Sequence, residues 1–201
     1  KYFQVRGSSS VRLPVRESGQ LPICVIHPDV DHAYDQVARF VQNNPGREAG
    51  VIVFGRKGDV KRAFNKIKFR VEKFGVSCRM QCYVSGRSSG HSDPGALVFD
   101  DPPSLTVLHS QSAKGLEFDA VFLVNLNALG AFDESEIDSF KRLYVATSRA
   151  RDSLFLLIGG SVDDRVLPEI VRLLPSPEAQ LSEFITGKGS PVAPLDLNGA
   201  V

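Results

Sequence analysis

Short apolar runs recur along the chain and predict the strands of a sheet. Most of them lack the polar alternation of a half-exposed strand and are rich in Val, Ile, Leu and Phe, which is typical of strands buried on both faces. The runs lie at residues 21–27, 51–54, 76–84, 105–108, 120–124 and 154–158, the last of which we expect to close the sheet.

Amphipathic stretches separate these runs and predict helices. The clearest begins at Asp59, where apolar residues follow at spacings of three and four up to Phe74, and Gly75 ends it. An earlier helix is capped by Asp29 or Asp31. Further helices are predicted at residues 137–148, with Phe140, Leu143, Tyr144 and Thr147 facing inward, and at residues 165–174 and 180–185. This alternation predicts an α/β fold with a parallel sheet and right-handed crossovers.

Charge is informative only where it is clustered, because the net charge of the 201 residues is +1. The outer face of the helix that begins at Asp59 carries eight cations against two acids: Arg56, Lys57, Lys61, Arg62, Lys66, Lys68, Arg70 and Lys73. Such a face is either simply solvated or a patch that meets the phosphates of a nucleic acid. The sequence leaves both interpretations open.

Cysteine usage and hydropathy exclude several classes of protein. The three cysteines are too few for a secreted disulfide scaffold, and Cys78 and Cys82 form a lone pair that is a weak zinc signal, so we predict no metal site. No apolar run approaches the roughly 20 residues needed to span a bilayer, and no signal peptide opens the sequence. We therefore expect a cytoplasmic protein.

Two polar features follow predicted strands or helices and are candidates for chemistry. Residues 112–117 form a loop in which Lys114 can meet a phosphate, Gly115 permits close backbone approach and Glu117 suits a ribose hydroxyl. Three arginines, Arg142, Arg149 and Arg151, lie on or just after the helix 137–148. They suit a γ-phosphate, or they are surface cations paired with Asp133, Glu134 or Asp152. We expect both features at the carboxyl ends of the strands, where parallel sheets bind ligands.

Two segments in this region resemble a known family. HSQSAKGLEFDAVFL, followed by RLYVATSRARDSLFLL, resembles motifs V and VI of UvrD/Rep-type superfamily 1 DNA helicases. VIVFGRKGDVKRAF is similar to the strand and helix of that family's second motor domain. The resemblance covers about residues 22–160 and implies a RecA-like fold with helices on both faces of the sheet.

The resemblance also implies roles for individual residues. Arg149 would be the catalytic arginine that reaches the γ-phosphate of ATP, Glu117 would contact the ribose, and Lys114 and Gly115 would shape the loop near the phosphates. Tyr144 would pack the motif VI helix under that site. The DNA contacts would come from Thr106, His109, Ser110 and Gln111 and from Lys61 and Arg62 on the basic helix. The sequence departs from the family's Thr-x-His pattern, because the histidine position before Lys114 holds Gln111 and the threonine position holds His109.

The phosphate-binding loop GxxxxGK[ST] is missing from the sequence, and no acidic magnesium-binding strand is evident. In the family both belong to an upstream RecA-like ATPase domain. We therefore expect residues 1–20 to continue from that domain, residues 21–175 to form the second motor domain, and residues 176–201 to be a short helix and a flexible tail.

Together these features predict the C-terminal motor domain of an ATP-dependent 3′-to-5′ DNA helicase or translocase. It would be inactive alone and monomeric, would use ATP and Mg²⁺ in the full protein, and would work on single-stranded or duplex DNA near the bacterial nucleoid. A non-catalytic module that binds DNA or protein, and an RNA-directed helicase, are the alternatives.

Overall fold

The computed structural model describes residues 21–27, 29–85, 94–129, 136–159, 174 and 183–186. In these ranges seven strands form one sheet in the order β3-β4-β2-β5-β6-β1-β7, and every neighbouring pair is parallel. The strands are β1 Ile23–His27, β2 Glu48–Val53, β3 Arg79–Tyr83, β4 Ser104–His109, β5 Phe118–Val124, β6 Ala150–Gly159 and β7 Glu183–Thr186.

Within the described ranges three helices connect strands of this sheet, and short 3₁₀ turns lie in the loops. The helices are α1 Val30–Asn43, α2 Lys57–Lys73 and α3 Glu136–Thr147, and the 3₁₀ turns are Pro94–Ala96, Ser110–Ser112 and Leu126–Ala128. Asp29 caps α1 by accepting the backbone N–H of Asp31 at 2.8 Å. Gly75, with φ of 63°, ends α2 as the sequence predicts. The six predicted strands, the first three helices and the α/β RecA-like class are confirmed.

The sheet has a separate apolar core on each face. On one face α1 and α2 contribute Val37 and Ile67, which pack with Phe122 of the central strand β5. On the other face α3 contributes Leu143, and the loop before β5 contributes Ala113, which is fully buried there. Because β5 is buried on both faces, its sequence is a continuous apolar run rather than an alternating one.

Four details differ from the sequence-based expectations. Residues 183–186, predicted as part of a helix, form β7 and pair with β1, so the sheet continues beyond residue 175 and β6 is internal. Helix α2 begins at Lys57, and Asp59 instead accepts the backbone N–H of Arg56 from within the first turn. Ala96, the first residue of the extended piece expected at residues 96–99, belongs instead to the 3₁₀ turn Pro94–Ala96, and residues 97–99 form no strand.

The fourth difference concerns α3. Its buried positions are Ser139, Leu143 and Ala146, whereas Tyr144 is 56% exposed. The buried stripe of the helix is therefore rotated by about one position from the expected one, and the prediction that Tyr144 faces inward is wrong. The helix predicted at residues 165–174 lies outside the described residues except for Leu174, which is buried, and the tail from residue 187 lies outside them as well.

Parallel strands give the sheet two chemically distinct ends. We call the end at which the strands begin, near Glu48, Ser104, Phe118 and Ala150, the amino edge. The end at which they finish, near Val53, Tyr83, His109 and Val124, is the carboxyl edge. Every connection between two of these parallel strands must run from the carboxyl edge to the amino edge.

Candidate nucleotide and DNA site

Residues 110–117 connect β4 to β5 and cross the face of the sheet that α3 covers. The segment leaves the carboxyl edge as the 3₁₀ turn Ser110–Ser112, buries Ala113, turns at Gly115 with φ of 85°, and reaches the amino edge at Glu117. We call it the crossing segment. Only its first part lies at the carboxyl ends of strands, so the prediction that places Glu117 and Arg149 there is wrong.

Glu117 and Arg149 meet at the amino edge because each directly precedes one of two paired strands. Phe118 pairs with Ala150, and the N–H of Phe118 donates to the carbonyl of Arg149 at 2.9 Å. The motif V loop and the end of the motif VI helix are thus joined by backbone contact. The expectation that these two residues share a site agrees with this geometry.

The Arg149 guanidinium lies at the end of α3 and donates to three oxygens. Its Nη1 reaches the carbonyl of Leu116 at 3.4 Å, Nε reaches the carbonyl of Val145 at 3.0 Å, and Nη2 reaches Ser148 Oγ at 2.9 Å. All three acceptors are uncharged, and within the described ranges no carboxylate pairs with the guanidinium. A planar fork held in this way can exchange weak carbonyl contacts for an anionic oxygen.

Arg151, rather than Arg149, forms ion pairs with Glu117 and Asp119. Its guanidinium lies 3.5 Å from Glu117 Oε2 and 3.7 Å from Asp119 Oδ1, and Asp119 in turn accepts the N–H of Glu48 at 2.9 Å. The pairing with Asp152 considered for these arginines is instead made by Arg47, at 3.0 Å. Asp133 and Glu134 lie outside the described residues.

A cleft opens beside this network. Gly115, Leu116 and Glu117 of the crossing segment line it together with Arg151. Phe99, Asp100 and Glu48 complete the lining, and no sequence motif singles out any of these three. A wall with apolar parts, an exposed carboxylate and a guanidinium suits a molecule with hydroxyl groups and an anionic part.

The other residues predicted to bind ATP lie near the same edge. Lys114 is exposed in the turn with Gly115, and no acidic side chain in the described ranges pairs with it. A cation at a turn that bends away from the sheet can approach a phosphate as a point charge. Tyr144 is also exposed, on the outer surface of α3, one turn before Arg149.

The residues predicted to bind DNA divide into buried and exposed groups. Thr106 lies within β4, is 1% exposed and accepts a hydrogen bond from Gln81 Nε2 at 3.2 Å. His109 is 4% exposed; its Nε2 donates to the carbonyl of Gly55 at 2.9 Å while its Nδ1 accepts the N–H of Gln111 at 3.3 Å. A neutral imidazole protonated at Nε2 satisfies both contacts. The predicted DNA contacts of Thr106 and His109 are therefore corrected to internal structural contacts.

Ser110 is also enclosed, because its Oγ accepts a hydrogen bond from Nη2 of Arg142 at 3.1 Å. Its predicted DNA contact is corrected in the same way. Gln111, Lys61 and Arg62 are exposed and lie at or near the carboxyl edge, since Gln111 follows β4 and the two cations lie in the first half of α2. Of the residues predicted to bind DNA, these three have exposed polar side chains there.

The cysteines and the hydropathy profile show no further site in the described part of the chain. Burial raises the pKa of Cys78 and of Cys82, which keeps both thiols protonated near neutral pH. Within the described ranges no group of three or more His, Cys, Asp or Glu side chains is arranged to hold a metal ion. None of the helices there combines the length and apolar character that a membrane span requires.

Comparison with known proteins agrees with the motifs. Residues 104–157, which run from β4 through most of β6, match the family profile of the UvrD-like helicase C-terminal domain. No curated protein sequence matches the chain. The fold is similar to the crystal structure of the C-terminal domain of a possible DNA helicase from Lactobacillus plantarum WCFS1, with a TM-score of 0.53 and 22% identity over 86% of this chain and 89% of that one.

The matched segment contains the crossing segment, α3 and Arg149, which are the parts that the structure joins at the amino edge. The similar crystal structure supports the RecA-like fold over a wider range than the matched segment does. Over residues 104–157, this chain therefore has the pattern of a UvrD-like helicase C-terminal domain, which confirms the resemblance inferred from its sequence.

Proposed function

We propose that this domain is the second motor domain of an ATP-dependent DNA helicase or translocase of superfamily 1 that steps 3′ to 5′. The observation that carries the proposal is the meeting of Glu117 and Arg149 at the amino edge, where Phe118 and Arg149 share a backbone hydrogen bond of 2.9 Å. A carboxylate for the ribose and a guanidinium for the γ-phosphate then lie on one surface. In this role Arg149 acts in trans on a nucleotide held by an upstream RecA-like domain.

The residues at the amino edge fit ATP, but they do not fit its magnesium ion. Exposed Glu117 offers an acceptor for a sugar hydroxyl, and Arg149 and Lys114 offer cations for phosphate oxygens. Within the described ranges no acidic cluster suits Mg²⁺. In the proposed arrangement the partner domain supplies the magnesium ligands and the phosphate-binding loop, and bound ATP supplies the phosphoanhydride bond that drives the motor.

The carboxyl edge is the proposed contact with single-stranded DNA. Exposed Gln111 offers an amide to the backbone, and Lys61 and Arg62 offer cations. Arg62 is paired with Asp59 at 3.2 Å, whereas Lys61 has no acidic partner in the described ranges. An exposed, unpaired lysine releases condensed counterions when it meets a phosphate.

We expect the double variant Lys61→Ala, Arg62→Ala to bind single-stranded DNA more weakly. The loss of affinity should be the same for every DNA sequence. Plotted as log affinity against log salt concentration, the slope should become shallower by about 0.7 for each lost phosphate contact. Fluorescence anisotropy at several salt concentrations measures both quantities. Lys68→Ala is the matched control, because Lys68 lies two turns further along the same helix and pairs with Glu72. If the salt dependence of binding has the same slope for wild type and the double variant, DNA does not bind at Lys61 and Arg62.

Activity is tested with a protein that contains this domain together with its ATP-binding domain. We expect ATP hydrolysis that single-stranded DNA stimulates, and unwinding of duplexes that carry a 3′ overhang but not of those with a 5′ overhang. Matched RNA duplexes distinguish an RNA-directed helicase. Unwinding from 5′ overhangs would contradict the polarity, and preferential displacement of RNA would contradict the substrate.

A second candidate function is a non-catalytic module that binds DNA or protein. The contacts of Arg149 favour it, because all three donating atoms already have acceptors within the chain. This candidate predicts DNA binding that is indifferent to ATP and no hydrolysis in any protein that contains the domain. The same hydrolysis assay therefore separates the two candidates.

A further inference from the structure

Two arginines of the α3 region hold the two ends of the crossing segment. Arg149 donates to the carbonyl of Leu116 near the amino edge, at 3.4 Å. Arg142, two helical turns earlier, donates from Nη2 to Ser110 Oγ at the carboxyl edge, at 3.1 Å. The two arginines are about 10 Å apart along the helix, the rise of seven residues. The α3 region and the crossing segment are therefore connected by an arginine side-chain hydrogen bond near each end of the segment.

Arg142 lies against the buried ring of Phe54. Its Cζ lies 5.7 Å from the centroid of the Phe54 ring, which is fully buried at the end of β2. The contact with Phe54 places the guanidinium on a rigid aromatic surface, where the cation is attracted to the face of the ring. Its side chain is therefore built into the fold, beneath the turn that Ser110 begins.

The turn held by Arg142 is connected to the rest of the carboxyl edge. His109, directly before Ser110, donates to the carbonyl of Gly55, and Asn125 Nδ2 donates to the carbonyl of Phe54 at 2.7 Å. Gly55 has φ of 102°, and a Cβ there would lie 2.7 Å from Asp59 Oδ2. The ends of β2, β4 and β5 therefore meet in one hydrogen-bonded cluster, which positions Gln111 at the surface.

We propose that Arg142 is a positioning residue that couples the nucleotide edge to the DNA edge. When Arg149 exchanges the Leu116 carbonyl for a phosphate oxygen, the α3 region and the crossing segment lose the arginine side-chain contact near the amino edge and keep the one that Arg142 makes. The contact between Arg142 and Ser110 then transmits the displacement of α3 to the turn that presents Gln111. The inference rests on the proposed function, since it requires a nucleotide at Arg149 and DNA at Gln111.

The test uses the protein that joins this domain to its ATP-binding domain, with an unstructured single-stranded DNA oligonucleotide. Arg142→Met removes the donor, and Ser110→Ala removes the acceptor. Each should lower the DNA stimulation of ATP hydrolysis by about tenfold. The basal rate without DNA and the dissociation constant for DNA should stay within about twofold of wild type. The double variant Arg142→Met, Ser110→Ala should lose no more of the DNA stimulation than Arg142→Met alone, because both changes break the same contact.

Two further variants separate coupling from a general loss of structure. Lys141→Met is the matched control, because Lys141 is the neighbouring cation and its exposed side chain pairs with Asp138 on the same helix. It should leave stimulation unchanged. Arg142→Lys keeps the charge but loses the fork, and it should restore part of the stimulation. If the Arg142→Met variant does not fold, the DNA stimulation measured for the smaller change Ser110→Ala tests the inference.

Three results overturn the inference, and they are distinguishable from one another. Normal stimulation in Ser110→Ala and Arg142→Met shows that the contact transmits nothing. An equal fall in the basal and stimulated rates shows that Arg142 only supports the nucleotide edge. Absence of stimulation in the unmodified protein removes the proposed function itself, and the inference with it.

Discussion

Arg149→Ala is expected to lower ATP hydrolysis by about a thousandfold or more in the protein that joins this domain to its ATP-binding domain. An arginine aimed at the γ-phosphate stabilises charge that develops in the transition state, and removing such a residue costs about 10³ to 10⁵ in turnover. ATP binding should persist, because in the proposed function the phosphate-binding loop and the magnesium ligands belong to the partner domain. Steady-state kinetics gives the turnover number, and equilibrium titration with a fluorescent ATP analogue gives the affinity.

Arg47→Ala is the matched control for this experiment. Arg47 lies at the same edge, is similarly cationic, and makes an exposed ion pair with Asp152. Its loss should leave the turnover number within about twofold of wild type, since exposed ion pairs contribute little to stability. Arg149→Lys separates charge from geometry, because lysine cannot reproduce the fork that reaches Leu116 and Ser148. Near-normal turnover in Arg149→Ala would remove Arg149 from the site.

Gly50→Val is expected to lower the free energy of unfolding by about 3 kcal/mol, because overpacking a rigid core forces neighbouring groups to move. A Cβ on Gly50 would lie 2.4 Å from Cδ2 of Phe118, whose ring is 1% exposed. Gly50 belongs to β2, at the centre of the sheet, where the backbone has little freedom to shift. Chemical denaturation monitored by circular dichroism measures the change.

A double variant tests whether the Phe118 ring is the cause. Phe118→Ala alone should cost about 3–5 kcal/mol by leaving a cavity. Gly50→Val with Phe118→Ala should cost at least about 1 kcal/mol less than the sum, because valine fills part of that cavity. Gly58→Val is the control, since no atom lies within 4 Å of a Cβ there. If the stability costs of Gly50→Val and Phe118→Ala are additive, the Phe118 ring is not what makes a side chain at position 50 destabilising.

Local patterns in the sequence predict most of the fold. The stripe from Val60 to Val71 and the glycine that follows identify α2, because helix periodicity and a left-handed C-terminal residue are both local signals. β7 is different. Glu183–Thr186 contains only four residues, and what makes it a strand is its pairing with β1, far away in the sequence. Short strands defined by a distant partner cannot be inferred from propensity alone.

The sequence identifies candidate residues for the site, but it does not predict at which edge of the sheet they lie. The motifs identify Glu117 and Arg149, and the structure brings them together, yet at the opposite edge of the sheet from the one expected. The strand order could have corrected this expectation, because any residue directly before a parallel strand lies at its amino end. Side-chain enclosure is harder to foresee. His109 and Ser110 follow a strand and are polar, but their partners, Gly55 and Arg142, belong to distant parts of the chain.

The pairing of β7 with β1 has a consequence for how this protein can be divided. β1 contains three consecutive buried residues, Cys24, Val25 and Ile26, and β7 covers its outer edge. A fragment trimmed to the matched motifs would end near Gly159 and would leave that edge with unpaired backbone N–H and C=O groups. Apolar strands with open edges recruit other chains. Residues 183–186 therefore supply the backbone hydrogen-bond partners of this edge of β1, although they lie beyond every recognisable motif.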